Sequence, residues 1–566
     1  MFRTGFISVL AFNLLAGLGE AAHTRPERTL HLRLSLRGGG GQQSTLAPKY
    51  QSNRALKLDE FTPPFGTLIR SRSGALFSPT PTPHWFEDAL VYQIYPLGSP
   101  AIHGQRVEGG GFFGNVTPFN DLTSPAQNRL QELRKWYDHL QELGVTAIYF
   151  SPMFESETHG YDTVDYYQID RRLGDLDAFK TMVKELRERG IKVILDGVFN
   201  HTGRKFFAFQ DLVKLGADWK QSQYKDWYFI KEGNSTFGDA FSYRSWEGHE
   251  ELPELDVENP DVRDYLFKVG KFWLEEGGAD GWRLDVAHEL PPAFWRDFRT
   301  ACTEAKGDHV LLGEVIHGDY NVWVGPTKGL MHSGTNYQLS KALWSSIKDN
   351  NFWELKHSFE RDSQLYREMS LLTFLSNHDV SRVATLLPNY QQVYLAHFLL
   401  LTVRGIPCIY YGDEIRVTGL KEDGDGALRG AMLEPDPAAW PEGGKNLYDA
   451  ISNLLKLRRD PALAALRLGS QVLLFTTNTE LVFARYALGH SPVIVAVNNG
   501  GDHVHLEVAL GPACVAPGQK LRCVWGEGAD AGCVPDTLTA RIHVPPFTGR
   551  IFVCESPAAA AAETAE

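Results

Sequence analysis

Residues 192–198 read KVILDGV and residues 281–286 read GWRLDV, two short apolar runs that each carry an aspartate near the end. Similar runs lie at residues 90–97, 146–152, 310–315, 371–376 and 406–412, with a weaker one at 332–339. Amphipathic segments separate them, for example at 128–143, 176–189 and 260–276. Near-continuous apolar strands that alternate with helices are typical of a parallel sheet covered on both faces. Eight such units predict an α/β fold, a (β/α)8 TIM barrel over 85–465, better than a six-strand doubly wound sheet.

Two segments depart from this alternation. Between the third strand and the helix near residue 260 lies a stretch rich in Gly and aromatic residues, and connections of that length are usually functional. We expect a B subdomain at about 203–256 that leans over the barrel mouth. Beyond residue 466 the apolar runs alternate without helices, which predicts a C-terminal antiparallel β-sandwich over 466–556, followed by a disordered tail at 557–566.

The N-terminus has the pattern of a targeting segment. Arg3 precedes an apolar run and then small residues, so residues 1–22 are predicted to be a signal-like segment for the secretory pathway. Residues 23–84 are mostly basic, Gly-rich and of low complexity, as in a linker or a second targeting segment, and a plastid location is the alternative. No other stretch is long and apolar enough for a membrane span.

The amino-acid composition argues against some classes of binding partner. The formal net charge is −13 and the pI is near 5.8, which argues against a nucleic-acid or anionic-membrane surface. Thirteen Trp and 21 Tyr suit a cleft that packs on flat apolar faces such as sugar rings. Of the six cysteines, four lie near the C-terminus and would form two disulfides in an oxidising compartment: Cys514, Cys523, Cys533 and Cys554.

Four of the predicted strands end in polar or ionisable residues. They are Asp196, Asn200 and His201 after the third strand, Arg283 and Asp285 in the fourth, Glu314 in the fifth, and Asn377, His378 and Asp379 after the seventh. Chemistry in barrels of this kind gathers at the carboxyl ends of the strands. One charged group there would be read as a structural ion-pair partner, since burial is costly unless the group is paired or used. Four such groups at one rim favour a catalytic site.

The spacing assigns roles to two carboxylates. Arg283 and Asp285 are two residues apart in a strand, so their side chains share a face. The arginine is expected to lower the pKa of Asp285, as a nucleophile requires, although a buried salt bridge would explain this pair alone. Glu314 is flanked by Gly313 and Val315, and partial desolvation is expected to raise its pKa for general acid catalysis. Two carboxyl groups with pKa values shifted in opposite directions indicate glycoside hydrolysis. The anomeric configuration is retained if the two groups lie roughly 5–5.5 Å apart.

The four strand-end segments resemble conserved regions I to IV of the α-amylase family, glycoside hydrolase family 13, in order and at suitable separations. LPELD at 252–256 resembles the conserved segment at the end of that family's B subdomain, and HGYDTVDY at 159–166 resembles its segment after the second strand. The resemblance covers about residue 85 to the end of the barrel, together with a family-like C-terminal β-domain.

The resemblance implies a function for each matched position. Asp285 matches the nucleophile, Glu314 the acid/base, and Asp379 the carboxylate that holds substrate hydroxyls and stabilises the transition state. Arg283, His201 and His378 match residues around the sugar ring at the cleaved bond, and Tyr161 matches the aromatic platform beneath it. Asn200 matches a calcium ligand of many α-amylases, whereas Asp196 is expected to support the site structurally.

Departures from the pattern point to one branch of the family. Where α-amylases carry a Lys-His pair after the nucleophile, this chain has His288 and Glu289, as in the neopullulanase and cyclomaltodextrinase branch. The expectation is therefore a retaining hydrolase of α-glucosidic bonds in maltooligosaccharides, cyclomaltodextrins or related glucans, with no required cofactor and calcium as a candidate. The alternatives are a transglycosylase or isomerase of the same family, or a non-catalytic glucan-binding homologue. The oligomeric state, the α-1,4 or α-1,6 preference and the role of Arg429, in the cleft or on a loop, stay open.

Overall fold

The computed structural model describes residues 83–98, 110–325, 330–513, 515–526, 532–533 and 537–555. The signal-like segment predicted at 1–22 and the tail at 557–566 lie outside these residues, as does nearly all of the segment 23–84. None of the described helices is both long enough and apolar enough to cross a membrane.

The barrel sheet is built from short strands whose side chains are almost all buried. In chain order the first strands are β1 (Val91–Ile94), β2 (Ala147–Phe150), β3 (Phe154–Ser156), β4 (Thr163–Ile169), β5 (Lys192–Gly197), β6 (Ile230–Glu232), β7 (Phe241–Tyr243), β8 (Gly281–Leu284), β9 (Val310–Gly313), β10 (Ser333–Gly334), β11 (Leu372–Phe374) and β12 (Ile406–Tyr410). Eight of them pair in the parallel order β10-β9-β8-β5-β2-β1-β12-β11. A parallel bridge between Thr335 and Leu372 joins the two end strands and closes the barrel. The predicted TIM barrel is confirmed.

Amphipathic helices cover the outside of the barrel. The described α-helices are α1 (His84–Glu87), α2 (Tyr137–Leu143), α3 (Leu176–Glu188), α4 (Phe207–Leu215), α5 (Pro260–Glu275), α6 (Pro292–Ala305), α7 (Tyr337–Lys348), α8 (Phe352–Leu365), α9 (Val383–Leu386), α10 (Tyr390–Thr402), α11 (Asp425–Leu428), α12 (Gly444–Arg458) and α13 (Ala465–Leu468). The segment predicted as a helix at 128–143 is a 3-10 helix over Leu130–Trp136 that continues as α2.

Helix α3 illustrates how the sequence specifies these elements. The side chain of Asp175 accepts a hydrogen bond from the backbone N–H of Ala178 and so caps the helix. Its buried residues, Phe179, Met182, Val183 and Leu186, recur at intervals of three and four and therefore share one face. Burial of each of these side chains contributes roughly 1.5–3 kcal/mol, which fixes the helix against the barrel.

The insertion between β5 and α5 forms the B subdomain that the fold class includes. It contains α4 and the antiparallel hairpin of β6 and β7, packed around the aromatic side chains of Phe209 and Phe241. An antiparallel bridge from His201 to Glu254 ties the two ends of the insertion together. The insertion thereby begins and ends beside the strand-end residues of the barrel mouth. The boundaries at 203 and 256 stay a prediction.

The C-terminal part consists of antiparallel sheets, as predicted. Its strands are β13 (Ser470–Thr476), β14 (Glu480–Tyr486), β15 (Val493–Asn498), β16 (Val504–Ala509), β17 (Lys520–Trp525), β18 (Gly532–Cys533), β19 (Thr539–Val544) and β20 (Thr548–Glu555). One sheet has the order β13-β14-β15-β20-β17-β18, and β16 pairs with β19 in a second sheet. Alternate residues of β14 pack in two directions: Leu481 and Phe483 join the barrel core, whereas Val482 and Ala484 join the core beneath the small sheet.

The cysteine expectation is wrong in part. Cys554 is a buried free thiol, and so are Cys302 and Cys408. An arrangement in which all four C-terminal cysteines are paired is therefore not present. Cys514 and the side chain of Cys533 lie outside what the structure describes.

Candidate active site

The carboxyl ends of neighbouring barrel strands bring the predicted residues to one rim. Asp196 lies in β5 and Arg283 in β8, Asp285 follows β8, Glu314 follows β9, and His378 and Asp379 follow β11. Arg283, Asp285 and Glu314 are 3%, 6% and 4% exposed, so their charges are largely removed from water. Such burial is tolerated only when charged groups are paired or used.

Arg283 is the centre of the carboxylate cluster. Its Nη1 donates to both oxygens of Asp196, at 3.0 and 3.1 Å, and to Oδ1 of Asp285, at 2.7 Å. Its Nη2 lies 2.5 Å from Oε1 of Glu314. The hydroxyl of Tyr149 donates to Oδ2 of Asp196 at 3.0 Å, which holds that carboxylate behind the arginine. One guanidinium thus binds three acidic groups and sets their relative positions.

The same cluster determines the charge of Asp285. Burial raises its pKa well above the usual range, and the charges of Glu314 and Asp196 raise it further, while Arg283 lowers it. Burial also raises the pKa of Asp196. The expectation that Arg283 leaves Asp285 with a lowered pKa is wrong for the free enzyme. The single positive charge of Arg283 does not offset the burial and the two neighbouring carboxylates, so the protonated form of Asp285 is favoured relative to a carboxyl group in water.

Glu314 has polar rather than apolar neighbours. Besides Arg283, its Oε2 accepts from the backbone N–H of Val286 at 3.1 Å, and its Oε1 accepts from the hydroxyl of Tyr337 at 3.1 Å. Val286 has a φ of 37°, which is strained for a β-branched residue. The chain turns sharply after Asp285, and this turn aims the Val286 amide at Glu314. The apolar flank expected from Gly313 and Val315 therefore does not describe the carboxyl group itself.

Asp379 has the opposite electrostatic setting from Asp285. Burial by itself would raise its pKa, but His378 and Arg429 hold the pKa well below the usual range. Oδ2 of Asp379 lies 2.9 Å from Nε2 of His378, and Oδ1 accepts from Nη2 of Arg429 at 2.9 Å. The side-chain oxygen of Asn377 accepts from the backbone N–H of Asp379 at 2.8 Å and shapes the turn. This carboxylate is therefore ionised at neutral pH.

His378 is oriented from behind by an amide that the sequence analysis did not single out. The Nε2 of Gln93 donates to Nδ1 of His378 at 2.9 Å and to Oγ of Ser151 at 3.1 Å. This contact holds the imidazole with its Nε2 facing Asp379. Gln93 is the one amide side chain in the apolar strand β1. Because an unpaired amide is costly to bury, its position in the sequence already indicated that it has a polar partner in the site.

Tyr161 connects the two halves of the site. Its hydroxyl donates to Oδ2 of Asp196 at 3.5 Å and contacts Nε2 of His378, and its ring lies parallel to the His378 ring at 5.6 Å. The side chain is half-buried, so part of the ring remains accessible from the mouth. This position accords with the sugar platform that the resemblance implies.

His201 lies at the B-subdomain side of the site. It is 2% exposed, and burial lowers its pKa to about 3, so the ring is neutral at ordinary pH. Its Nε2 is buried without a hydrogen-bond partner, while Nδ1 lies 3.4 Å from the amide of Asn200. The ring packs against Trp246 at 5.7 Å. An unsatisfied imidazole nitrogen is a group that a bound hydroxyl would satisfy.

The predicted calcium ligand does not gather a calcium-like set of oxygens. Calcium takes six to eight oxygen ligands, chiefly carboxylates and carbonyls. The backbone oxygen of Asn200 accepts from the N–H of Leu255 at 2.9 Å, and its side-chain amide contacts His201. Within the described residues there is no group of three or more His, Cys, Asp or Glu side chains positioned to hold a metal. The contacts of Asn200 therefore do not fit a calcium site, and calcium binding stays a prediction of the resemblance.

Comparison with known proteins agrees with the fold. The family described as Alpha amylase, catalytic domain, matches residues 119–464. Cyclomaltodextrinase of Geobacillus thermopakistaniensis (strain MAS1) is 34% identical over 492 residues, which cover 84% of this chain and 78% of the relative. Neopullulanase 2 of Thermoactinomyces vulgaris is 35% identical over 417 residues, covering 69% and 65%. A solved cyclomaltodextrinase is similar with a TM-score of 0.69 and 30% identity, covering 83% of this chain and 79% of that chain.

A (β/α)8 barrel whose strand ends gather three acidic groups on one arginine, with a fourth beside them, defines a glycosidase of the O-glycosyl hydrolase class. The chain belongs to the alpha-amylase family, and its relatives include enzymes named cyclomaltodextrinase and neopullulanase.

Proposed function

We propose that the protein is a retaining glycoside hydrolase that cleaves α-glucosidic bonds in maltooligosaccharides, cyclomaltodextrins or related α-glucans. The observation that carries the proposal is the guanidinium of Arg283, which binds Asp285 through one terminal nitrogen and Glu314 through the other. Two carboxyl groups on one guanidinium are close together, as the ~5 Å separation of retaining enzymes requires. The names cyclomaltodextrinase and neopullulanase among the relatives support the class of substrate.

In the first step, protonated Glu314 gives its proton to the glycosidic oxygen while an oxygen of Asp285 attacks the anomeric carbon. The bond to the leaving sugar breaks, and its electron pair stays on the protonated oxygen. In the second step, Glu314 removes a proton from water, and the water oxygen displaces the Asp285 carboxylate from the anomeric carbon. Two inversions at one carbon retain its configuration.

The carboxylate cluster supplies the proton that the first step needs. Asp196, Asp285 and Glu314 share one positive charge, so a proton bound within the cluster belongs to the group as a whole. Catalysis requires that proton on Glu314, with Asp285 ionised. Arg283 contacts both residues and stabilises the charged form of either one.

The remaining residues bind the sugar ring at the cleaved bond. Asp379 is ionised, and each of its oxygens keeps a lone pair for a sugar hydroxyl in addition to the contacts with His378 and Arg429. His201 presents its unsatisfied Nε2, and the ring of Tyr161 offers an apolar surface for the C–H face of a sugar. Asp379 also places a negative charge near the positive charge that develops in an oxocarbenium-like transition state.

Product analysis on maltotriose, a cyclodextrin, pullulan and soluble starch tests the proposal. We expect linear maltooligosaccharides from the cyclodextrin, and NMR of the first products should detect the α-anomer before mutarotation. Release of β-anomers would contradict the retaining mechanism. Longer oligosaccharides formed from maltotriose would indicate that a sugar hydroxyl intercepts the intermediate, as in a transglycosylase. Binding of glucans without any cleavage would favour the non-catalytic homologue.

We further infer that residues 1–22 direct the chain to the secretory pathway, on the basis of the apolar run after Arg3. A fusion of residues 1–84 to a fluorescent protein, expressed in a eukaryotic host that contains plastids, should enter the secretory route. Accumulation of that fusion in plastids would support the alternative instead.

A further inference from the structure

Arg429 lies in the loop after β12, in the segment DGDGALR at 423–429, and faces Asp379. Its side chain is 5% exposed, whereas that of Asp379 is 32% exposed towards the cleft. Nη2 of Arg429 donates to Oδ1 of Asp379 at 2.9 Å. The arginine is therefore placed behind the carboxylate, where it contacts the group without being accessible from the mouth.

Further contacts fix the guanidinium. Nε donates to the backbone oxygen of His378 at 3.1 Å, and Nη1 donates to the hydroxyl of Tyr95 at 3.3 Å. The guanidinium also lies over the Tyr95 ring, 4.7 Å from its centroid. Since Nε and both terminal nitrogens are engaged in different directions, the side chain is confined to one rotamer.

The backbone around Arg429 is held by neighbours as well. The oxygen of Leu428 accepts from Nη2 of Arg382 at 2.9 Å and from the hydroxyl of Tyr410 at 3.0 Å. The oxygen of Arg429 accepts from the N–H of Gly111 at 2.7 Å. A side chain on so constrained a backbone can set the position of the group it binds.

The charges around Asp379 alternate in sign. Nη2 of Arg429 also lies 3.1 Å from Oδ2 of Asp425, and Lys421 donates to Oδ1 of Asp425 at 2.6 Å. On the other side Asp379 contacts His378. The tyrosines that face it have pKa values raised by burial and are neutral, namely Tyr95, Tyr161 and Tyr337. Asp425 thus competes with Asp379 for one arginine nitrogen.

Resting on the proposed function, we infer that Arg429 is a positioning residue for glycoside cleavage: it fixes the rotamer and the negative charge of Asp379 without touching the reacting atoms, and Asp425 moderates this effect. The DGDGALR loop then adjusts how strongly Asp379 holds a sugar hydroxyl. A loop that only covered the barrel would not alter the ionisation of Asp379.

The first experiment compares pH profiles of kcat/KM and kcat on a cyclodextrin. In Arg429→Gln kcat/KM at the pH optimum should fall by about 10²-fold, since Asp379 loses its fixed cation. Arg429→Lys should restore part of the loss. Asp425→Asn should not lower kcat/KM at the pH optimum, because the arginine then binds Asp379 alone. Arg416→Gln is the matched control, since Arg416 in the same loop donates to the backbone oxygens of Glu442 and Pro388.

The second experiment needs no activity. Melting temperatures of the wild type, Arg429→Gln, Asp379→Asn and the double variant should be non-additive, with Arg429→Gln costing less once Asp379 is neutral. If the wild type cleaves no glucan, the proposed function fails while this cycle still reports on the Arg429–Asp379 pair. Additive melting temperatures, or a loss of kcat/KM in Asp425→Asn as large as that in Arg429→Gln, would overturn the inference.

Discussion

At the residue scale, Asp285 is held in surroundings that oppose its charge. Burial and two neighbouring carboxylates raise its pKa well above the usual range, and Arg283 offsets them only in part. A nucleophile stabilised fully by its arginine would be a weak one. The backbone of Val286 is strained, and this conformation directs the Val286 N–H to Glu314. The strain is a second destabilising feature within the active site.

Replacement of Asp285 by Asn should abolish turnover, with a loss of roughly 10⁴-fold or more in kcat, since the covalent step has no other nucleophile. Initial rates on maltotriose measure the effect. Asp264→Asn, in an exposed pair with Lys268, is the control and should retain full activity. Substantial residual hydrolysis by Asp285→Asn would show that another group attacks the anomeric carbon.

The same substitution should stabilise the fold at neutral pH. A carboxyl group with a raised folded pKa binds its proton more tightly in the native state, so its contribution to stability falls as the pH rises from about 4 towards the folded pKa. Each tenfold change in proton affinity corresponds to about 1.4 kcal/mol. The melting temperature of Asp285→Asn should therefore exceed that of the wild type by an amount that grows between pH 4 and pH 8. An advantage that shrinks over this range would contradict the raised pKa.

At the scale of elements, the B subdomain depends on one half-buried arginine. Arg204 donates to both oxygens of Asp239, at 2.9 and 3.0 Å, and its guanidinium lies 4.0 Å from the Phe237 ring centroid. These contacts hold the hairpin of β6 and β7 against α4. The subdomain begins directly after His201, so its order affects the edge of the site.

Arg204→Ala should cost about 2 kcal/mol of local stability, because it leaves Asp239 without its cation. Limited proteolysis should detect new cleavage between residues 203 and 256, and KM should rise more than kcat falls. Lys231→Ala, at an exposed position of β6, serves as the control. An unchanged proteolysis pattern would show that aromatic packing, rather than Arg204, stabilises the hairpin.

At the scale of the whole molecule, the large C-terminal sheet is packed on both faces. Leu481, Phe483 and Val495 join the barrel core, and Val482 and Ile494 join the core of the outer sheet. The fully buried Arg485 donates to the backbone oxygen of Thr402, in α10 of the barrel, and to that of Gly469, directly before β13. The barrel and the sheets should therefore unfold as one unit.

Arg485→Ala should lower the stability of the entire chain by about 3 kcal/mol, because two buried carbonyls lose their donor. Calorimetry should record a single transition at lower temperature in the variant. Arg541→Ala, on the exposed face of β19, is the matched control. Two separate transitions in the wild type would mean that barrel and sheets unfold independently.

Treatment with EDTA should leave the activity and the melting temperature unchanged, since Asn200 lies among contacts that do not gather calcium-like oxygens. Restoration of a lost activity by added Ca²⁺, with Mg²⁺ as the comparison, would place a calcium site elsewhere in the chain.

The sequence by itself determined the barrel, the C-terminal sheets and the strand ends that bear Asp285, Glu314 and Asp379. Apolar periodicity is a local property, and parallel strands necessarily bring their carboxyl ends to one rim. It also placed Arg283 beside Asp285, since residues two apart in a strand share a face.

Only the tertiary structure showed how the charges of the active site affect one another. Asp285 has a raised pKa because it is buried and because Asp196 and Glu314, distant in sequence, converge on the same arginine. Glu314 proved to have polar neighbours because Val286 and Tyr337 reach it from other elements. Arg429, which the sequence left undecided, contacts Asp379 across a gap of 50 residues in the chain. Ionisation depends on distances and burial summed over the fold, and neither quantity is encoded in a local pattern.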